Sequence, residues 1–142
     1  MDRAETFDLE AAKKLLGEVF APWIQDLKLE VISVARDEVV LRMPFSNRLT
    51  RSGGIICGQA LMALADTAMV FAVAAASGRS RPMTTVDQTT HFLRPVSSSA
   101  VLCAVRITRL GRTMAFAQAT ISTESDGKPV ATAQLAYALL EG

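Results

Sequence analysis

The segment that decides the fold is Ile55–Ala76, which reads IICGQALMALADTAMVFAVAAA. Its polar residues are few, and Asp66 is the one that carries a charge. A helix that is apolar on every side must be buried in a protein core or in a bilayer. A carboxylate is costly in such surroundings unless the fold or the function requires it. The segment therefore predicts a buried helix with a candidate site at Asp66.

Length and composition predict one globular domain over residues 1–142. The chain has 142 residues, of which 50% are hydrophobic and 20% charged, which is enough apolar material for a sizeable core. The net charge of +1 provides no basic field for nucleic acid, so we expect no nucleic-acid partner. Cys57 and Cys103 match neither a disulfide framework nor a zinc pattern, and we expect no metal.

The apolar segment is long enough to cross a membrane, but its composition disfavours this. Gln59, Asp66 and Thr67 interrupt it. An acid at the middle of a membrane span costs about 2.5–3.5 kcal/mol. The first residues, Met1–Glu5, include acids, which does not fit a signal peptide. We therefore expect a cytoplasmic protein with no membrane partner.

Hydrophobic periodicity organises the rest of the chain. Helical spacing of apolar residues predicts a helix over Asp8–Phe20. Strand patterns occur over Leu27–Ile32, Val39–Met43, Met83–Leu93, Ala100–Leu110, Thr113–Glu124 and Pro129–Leu140. Strands joined by short turns form an antiparallel sheet. Because the central helix is apolar all round, we predict an α+β fold in which a curved antiparallel β-sheet wraps around that long helix.

Three segments carry a resemblance to a known family: Gly54–Ala68, then Thr84–Asp87 with His91–Pro95, and Gly111–Phe116. In this order they resemble the hotdog-fold acyl-CoA thioesterases of the phenylacetate-degradation type. The resemblance covers nearly the whole chain. It implies the hotdog fold, an acyl-CoA substrate in which coenzyme A is part of the substrate rather than a cofactor, and a homodimer that pairs into a dimer of dimers.

Three positions depart from the pattern of that family. Arg51 stands where the family has asparagine, Cys57 where it has histidine, and Gln59 where it has a second glycine. In the family, the histidine and asparagine help to place the thioester carbonyl or the attacking water. The resemblance therefore implies that Arg51, Gly54 and Cys57 lie at the substrate. The departures leave a non-catalytic acyl-CoA-binding protein as an alternative.

Thioester hydrolysis needs donors for the negatively charged oxygen and a group that activates water or attacks the carbonyl. Free N–H groups at a helix start can act as such donors, so Gly58 and Gln59 are the predicted oxyanion hole. The alternative role for Gly58 is only to allow neighbouring parts of the chain to pack closely. Asp66 is the predicted general base or nucleophile. The alternative for Asp66 is an ion pair with a buried arginine or a position at a subunit seam.

Helix geometry separates the two halves of this predicted site. Gly58 and Asp66 are eight residues apart, which is about 12 Å along a helix axis. A base and an oxyanion donor must each lie about 3 Å from the reacting group. One helix cannot meet both requirements, whereas an antiparallel second helix across a dimer axis can. The spacing therefore predicts an isologous homodimer with two shared sites.

Further candidates flank this helix. Thr85 could orient Asp66 or hold the attacking water, or it could be present for β-propensity, and Asp87 is predicted on the same face. Cys57 could be a nucleophile at a helix start but would need a histidine base, so we interpret it as a small buried hydrophobic residue. Arg94 and Arg112 are candidates for the phosphates of coenzyme A.

The predicted activity is hydrolysis of an acyl-CoA thioester to the carboxylic acid and free coenzyme A. A hotdog hydratase or dehydratase is a second possibility, but it would need a histidine with an acidic partner in the site. The single histidine of the chain, His91, lies outside the helix-start motif.

Overall fold

The computed structural model describes residues 6–140, so the acidic stretch Met1–Glu5 lies outside it. In chain order, the elements are α1 (Leu9–Leu16), α2 (Pro22–Gln25), β1 (Glu30–Val34), β2 (Val39–Met43), a 3-10 helix (Asn47–Leu49), β3 (Thr50–Arg51), β4 (Ile55–Ile56), α3 (Gly58–Ser77), β5 (Met83–Phe92), β6 (Val101–Leu110), β7 (Met114–Thr123) and β8 (Pro129–Leu139). The four C-terminal strands lie within one or two residues of their predicted bounds.

The N-terminal region is more broken than its periodicity predicts. Helix α1 ends at Leu16 rather than Phe20, because the N–H of Gly17 turns back to the main-chain oxygens of Leu15 and Lys14. A separate helix, α2, then begins with a proline, which suits a first helical position. The next strand starts only at Glu30, because Lys28 adopts a left-handed backbone conformation with φ of 57°.

Helix α3 is the central element. Its isoleucine-rich lead, Ile55–Ile56, forms β4 instead, and Gly78 ends the helix with φ of 83°. By length and composition alone α3 could cross a bilayer, but 67% of the residues in its most apolar stretch are buried inside the protein. It contacts β1, β2 and β5 to β8, so it is the core helix of the domain.

One six-stranded sheet surrounds this helix, in the order β1-β2-β6-β7-β8-β5, with every neighbouring pair antiparallel. The buried side chains of the strands and of α3 form one hydrophobic core, and Phe71, Leu64 and Met69 of the helix are fully buried in it. A curved antiparallel sheet around a long helix confirms the predicted α+β hotdog fold.

Strand β5 lies at an edge of the sheet and carries a β-bulge. Thr85 lies opposite Tyr137, but Asp87 lies opposite Ala136, so one residue, Val86, is inserted. The insertion reverses the alternation of side chains. Thr85 therefore faces α3, whereas Asp87 lines a pocket on the outer face of the sheet. The prediction that Asp87 shares a face with Thr85 was wrong for this reason.

Candidate active site

Asp66 lies on a stripe of α3 that the sheet leaves open. Gln59 and Met62 are exposed and Asp66 is half-buried, whereas the neighbouring Ala65 and Thr67 are buried. Positions three and four residues apart lie on one helix face, so Gln59, Met62 and Asp66 form a single row. The acid of the apolar helix is thus accessible from the surface.

Two hydroxyl groups hold the Asp66 carboxylate. Oγ1 of Thr85 donates to Oδ1 at 2.8 Å. The hydroxyl of Tyr137 lies 2.7 Å from the same Oδ1 and 2.6 Å from the main-chain oxygen of Asp66. Burial raises the pKa of Tyr137 well above its usual range, and the neighbouring Asp66 carboxylate adds to this rise. Tyr137 is therefore a neutral donor, and the acid is held by hydroxyl groups.

A pocket of about 270 Å³ opens beside this carboxylate. Most of its wall is apolar, and the short helix α2 provides part of it. Its lining residues besides Asp66 are Trp23, Ile24, Gln59, Met62, Ala63 and Gln88. An apolar pocket with a few convergent polar groups is the usual form of a small-molecule site. The pocket can accept an apolar group and bring it next to the acid.

The start of α3 exposes backbone donors. The first N–H groups of a helix have no acceptor within that helix. Cys57, at the N-cap, makes no capping hydrogen bond with its side chain, and across residues 6–140 the N–H groups of Gly58 and Gln59 have no acceptor in range. These donors lie at the positive end of the helix dipole. The helix start can therefore stabilise a negatively charged oxygen.

Gly58 lines a second pocket, of about 510 Å³. Arg51, Phe92 and Arg94 are also among its lining residues. The ring of Phe92 packs on Gly58, and a Cβ atom at position 58 would lie 3.1 Å from Cζ of Phe92. Glycine at this position keeps the backbone accessible beside that ring.

The two pockets share no lining residue. Gly58 and Gln59 are adjacent in the chain, yet Gly58 lines the larger pocket and Gln59 the smaller one. The N–H of Gly58 and the carboxylate of Asp66 belong to the same helix, about 12 Å apart along its axis. Within one chain, the acid and the helix-start donors therefore lie at different pockets.

Residues 53–130 match the family model of the thioesterase superfamily. The chain belongs to the thioesterase superfamily. The matched segment contains the helix-start donors, Asp66 and Thr85. Tyr137 lies beyond its end, so the second hydroxyl at the acid comes from a part of the chain outside the match.

Known relatives agree with this membership and with the predicted resemblance. A protein of Thermoplasma acidophilum with a provisional esterase name is 26% identical over 115 residues, which is 78% of this chain and 81% of that protein. A thioesterase of Haemophilus influenzae has a TM-score of 0.85 and 25% identity, covering 97% of this chain and 94% of its own. The PaaI protein from the phenylacetic acid degradation operon of E. coli has a TM-score of 0.80 and 18% identity, covering 94% and 93%, and shares the fold.

The other predicted substrate residues occupy different places in this thioesterase-superfamily fold. Arg51 and Arg94 line the Gly58 pocket. Gly54 lies in an exposed turn with φ of 76°, and Arg112 lies in the exposed turn between β6 and β7. Neither of these two residues lines the Gly58 pocket or the Asp66 pocket.

The thiol groups have no histidine base. His91 precedes Phe92, which packs on the helix start, so His91 lies on the outer face of the sheet beside Gln118 and Thr132. Cys57 is half-buried and packs against the hydrophobic core. Burial raises the pKa of Cys103 to about 12, so that thiol stays protonated. Neither cysteine is placed as an activated nucleophile.

Replacing Cys57 with alanine is expected to lower the free energy of unfolding by about 1 kcal/mol and to leave most activity intact. The reason is that its side chain contributes packing, while its main chain, which donates to the oxygen of Leu49 at 2.8 Å, is unchanged. Denaturant unfolding and thiol-release assays measure the two effects. Cys57→Ser should also remain active. Folded but inactive protein in both variants would contradict the packing role.

Sequence reasoning missed two residues of the site, Tyr137 and Trp23. Tyr137 is the only tyrosine of the chain and is 3% exposed, and a buried tyrosine hydroxyl normally has a hydrogen-bond partner. That rule could have marked it as a residue with a polar contact. Its partner lies 71 positions away in the chain, so the contact itself depends on the register of the sheet.

Proposed function

We propose that this protein is an acyl-CoA thioesterase that works as a homodimer with two shared active sites. The observation that carries the proposal is the division of the site within one chain. Asp66 with its two hydroxyl donors opens on one pocket, and the free N–H groups around Gly58 lie near another. Two antiparallel α3 helices would bring the acid of one subunit to the donors of the other.

The proposed reaction begins with a water molecule next to Asp66. Asp66 takes a proton from this water molecule while the oxygen of the water attacks the thioester carbonyl carbon. The carbonyl oxygen becomes negatively charged and is stabilised by the N–H groups of Gly58 and Gln59 from the other subunit. When the carbon–sulfur bond breaks, the thiolate of coenzyme A leaves and takes up the proton from Asp66. The products are a carboxylic acid and the free thiol.

The linings of the two pockets suggest how the substrate lies. The Asp66 pocket is mostly apolar, with Trp23, Ile24 and Met62 in its wall, and suits the acyl group. Arg51 and Arg94 lie near the helix-start donors, and arginine suits the phosphates of coenzyme A. We therefore propose that the acyl group lies on the Asp66 side and the nucleotide on the Gly58 side.

The edge strand β5 supports the proposed dimer. It pairs only with β8 among the strands at residues 6–140, so its other edge is open. Val86, Phe92 and Leu93 on or next to this strand are exposed by 57%, 51% and 56%. Natural proteins rarely leave a long apolar edge uncovered. A second copy of the chain would cover it and close the site. Pairing of two such dimers is the further assembly that we propose.

A cytoplasmic location is part of the proposal. Both cysteines are free thiols, as is usual in a reducing compartment. The outer-face position of His91 disfavours hydratase chemistry, because that reaction would need the histidine close to the acid.

The proposed activity predicts release of free thiol from acyl-CoA esters. We expect turnover well above the buffer rate for at least one member of a panel of aliphatic and aryl acyl-CoA thioesters, with the carboxylic acid as the second product. A thiol-reactive dye measures the first product and mass spectrometry the second. Saturable acyl-CoA binding with no thiol release would identify the non-catalytic alternative, and a hydroxyacyl-CoA product would identify a hydratase.

A further inference from the structure

The two hydroxyl groups at Asp66 converge on the same carboxylate oxygen. Thr85 and Tyr137 lie 2.8 and 2.7 Å from Oδ1. The other oxygen, Oδ2, accepts no hydrogen bond from residues 6–140. The two oxygens are therefore inequivalent: one is occupied by protein donors, and the other is left for water or substrate.

The register of the sheet produces this convergence. Thr85 of β5 and Tyr137 of β8 are directly opposite each other, and both point towards α3. The hydroxyl of Tyr137 also contacts the main-chain oxygen of Asp66 at 2.6 Å. It thus links the main chain of that residue to its carboxylate and limits rotation of the side chain.

We propose that Tyr137 is a positioning residue that, together with Thr85, holds Oδ1 of Asp66 and leaves Oδ2 as the oxygen that takes the proton from water. This inference rests on the proposed function and deepens it, because it assigns separate tasks to the two oxygens of the general base.

The surroundings of Asp66 make this assignment testable by pH. The other residues that line its pocket, Trp23, Ile24, Gln59, Met62, Ala63 and Gln88, carry no ionisable group. Thr85 does not ionise, and Asp87 faces the opposite side of the sheet. Within the described residues Tyr137 is the titratable group that touches the acid, and burial keeps its hydroxyl protonated. Because Tyr137 and Thr85 both contact Oδ1 of Asp66, a shift of the acid limb of the pH–rate profile that is common to variants of both residues can be assigned to Asp66.

Tyr137→Phe tests the proposal because it removes the hydroxyl and keeps the buried ring. We expect kcat to fall about tenfold to a hundredfold, with KM changed less than about threefold, since a hydrogen bond to a charged group is lost. The acid limb of the pH–rate profile should also move to higher pH, because a hydrogen-bond donor to the carboxylate is lost. Thr85→Val should move the acid limb in the same direction. This variant tests the proposal if Tyr137→Phe does not fold.

Thr132→Val is the matched control. Thr132 lies on the same strand as Tyr137 but lines a pocket on the outer face of the sheet, so the loss of its hydroxyl should leave kcat and the pH profile unchanged. In a chain that already carries Asp66→Asn, Tyr137→Phe should lower the residual rate no further. An unshifted acid limb in both folded variants, or full additivity with Asp66→Asn, would overturn the positioning role.

A second readout is independent of turnover. With carbon-13 at the aspartate carboxyl groups, the Asp66 signal can be assigned by its absence from the Asp66→Asn protein. Its titration midpoint should lie at higher pH in Tyr137→Phe and Thr85→Val than in the unmodified chain. If no acyl-CoA is hydrolysed but the midpoint shifts, the proposed function fails and the contact to Oδ1 stands. An unshifted midpoint refutes the positioning itself.

Discussion

Replacing Asp66 with asparagine is expected to lower kcat by about a hundredfold to ten-thousandfold, the usual contribution of a general base. The amide oxygen can still accept the hydroxyl groups of Thr85 and Tyr137 at the place of Oδ1. The change therefore replaces only Oδ2, with a group that cannot take a proton from water. Fold and assembly should persist, and circular dichroism and sedimentation measure both while thiol release measures kcat.

Asp87→Asn is the matched control for this experiment. It removes the same charge from a carboxylate on the outer face of the sheet, so its kcat should stay close to that of the unmodified protein. Near-normal kcat in Asp66→Asn with the best substrate would exclude Asp66 as base or nucleophile. Loss of folding in that variant would instead show that the acid has a structural role.

Mixing two inactive variants is expected to restore activity. One chain carries Asp66→Asn and the other Gly58→Leu. The leucine would displace the ring of Phe92 and fill the donor pocket, while the backbone at position 58 is not in the left-handed region and can accept a side chain. In a heterodimer one site holds both changes and the other holds neither. Each heterodimer should therefore recover up to half the activity of an unmodified dimer.

Differently tagged chains make this mixing experiment decisive. After co-refolding, doubly tagged dimers are purified, their composition is verified by mass, and thiol release is measured. Asp66→Asn chains carrying the two different tags, mixed and purified in the same way, should stay inactive. A verified heterodimer that is as inactive as its parents would show that Gly58 and Asp66 of different subunits do not form one site.

The parts of the fold that could be predicted are those with strong local signals. The apolar run of α3 and the alternating pattern of β5 to β8 are determined by side chains close in the chain, so their bounds were predicted to within a few residues. The N-terminal elements depend on single backbone conformations, at Gly17 and Lys28, that periodicity does not reveal. In this region the predicted helix was too long and the predicted strand began too early, whereas the structure has separate shorter elements.

The candidate site was predictable only in part. Asp66 is visible because a charge in an apolar helix stands out, and Gly58 because glycine marks a helix start. The contacts of Asp66 come from Thr85 and Tyr137, which meet it through strand pairing between distant segments. Tyr137 lies in an ordinary strand pattern, so no local feature connects it to the acid.

The bulge at Val86 also determines how many carboxylates lie beside α3. If Thr85, Val86 and Asp87 followed a regular strand with no bulge, alternation would turn Asp87 towards α3, on the same side as Thr85. Two ionised carboxylates brought close together would repel each other. The bulge keeps Asp87 on the far side of the sheet, so among the described residues Asp66 is the one carboxylate that lines its pocket.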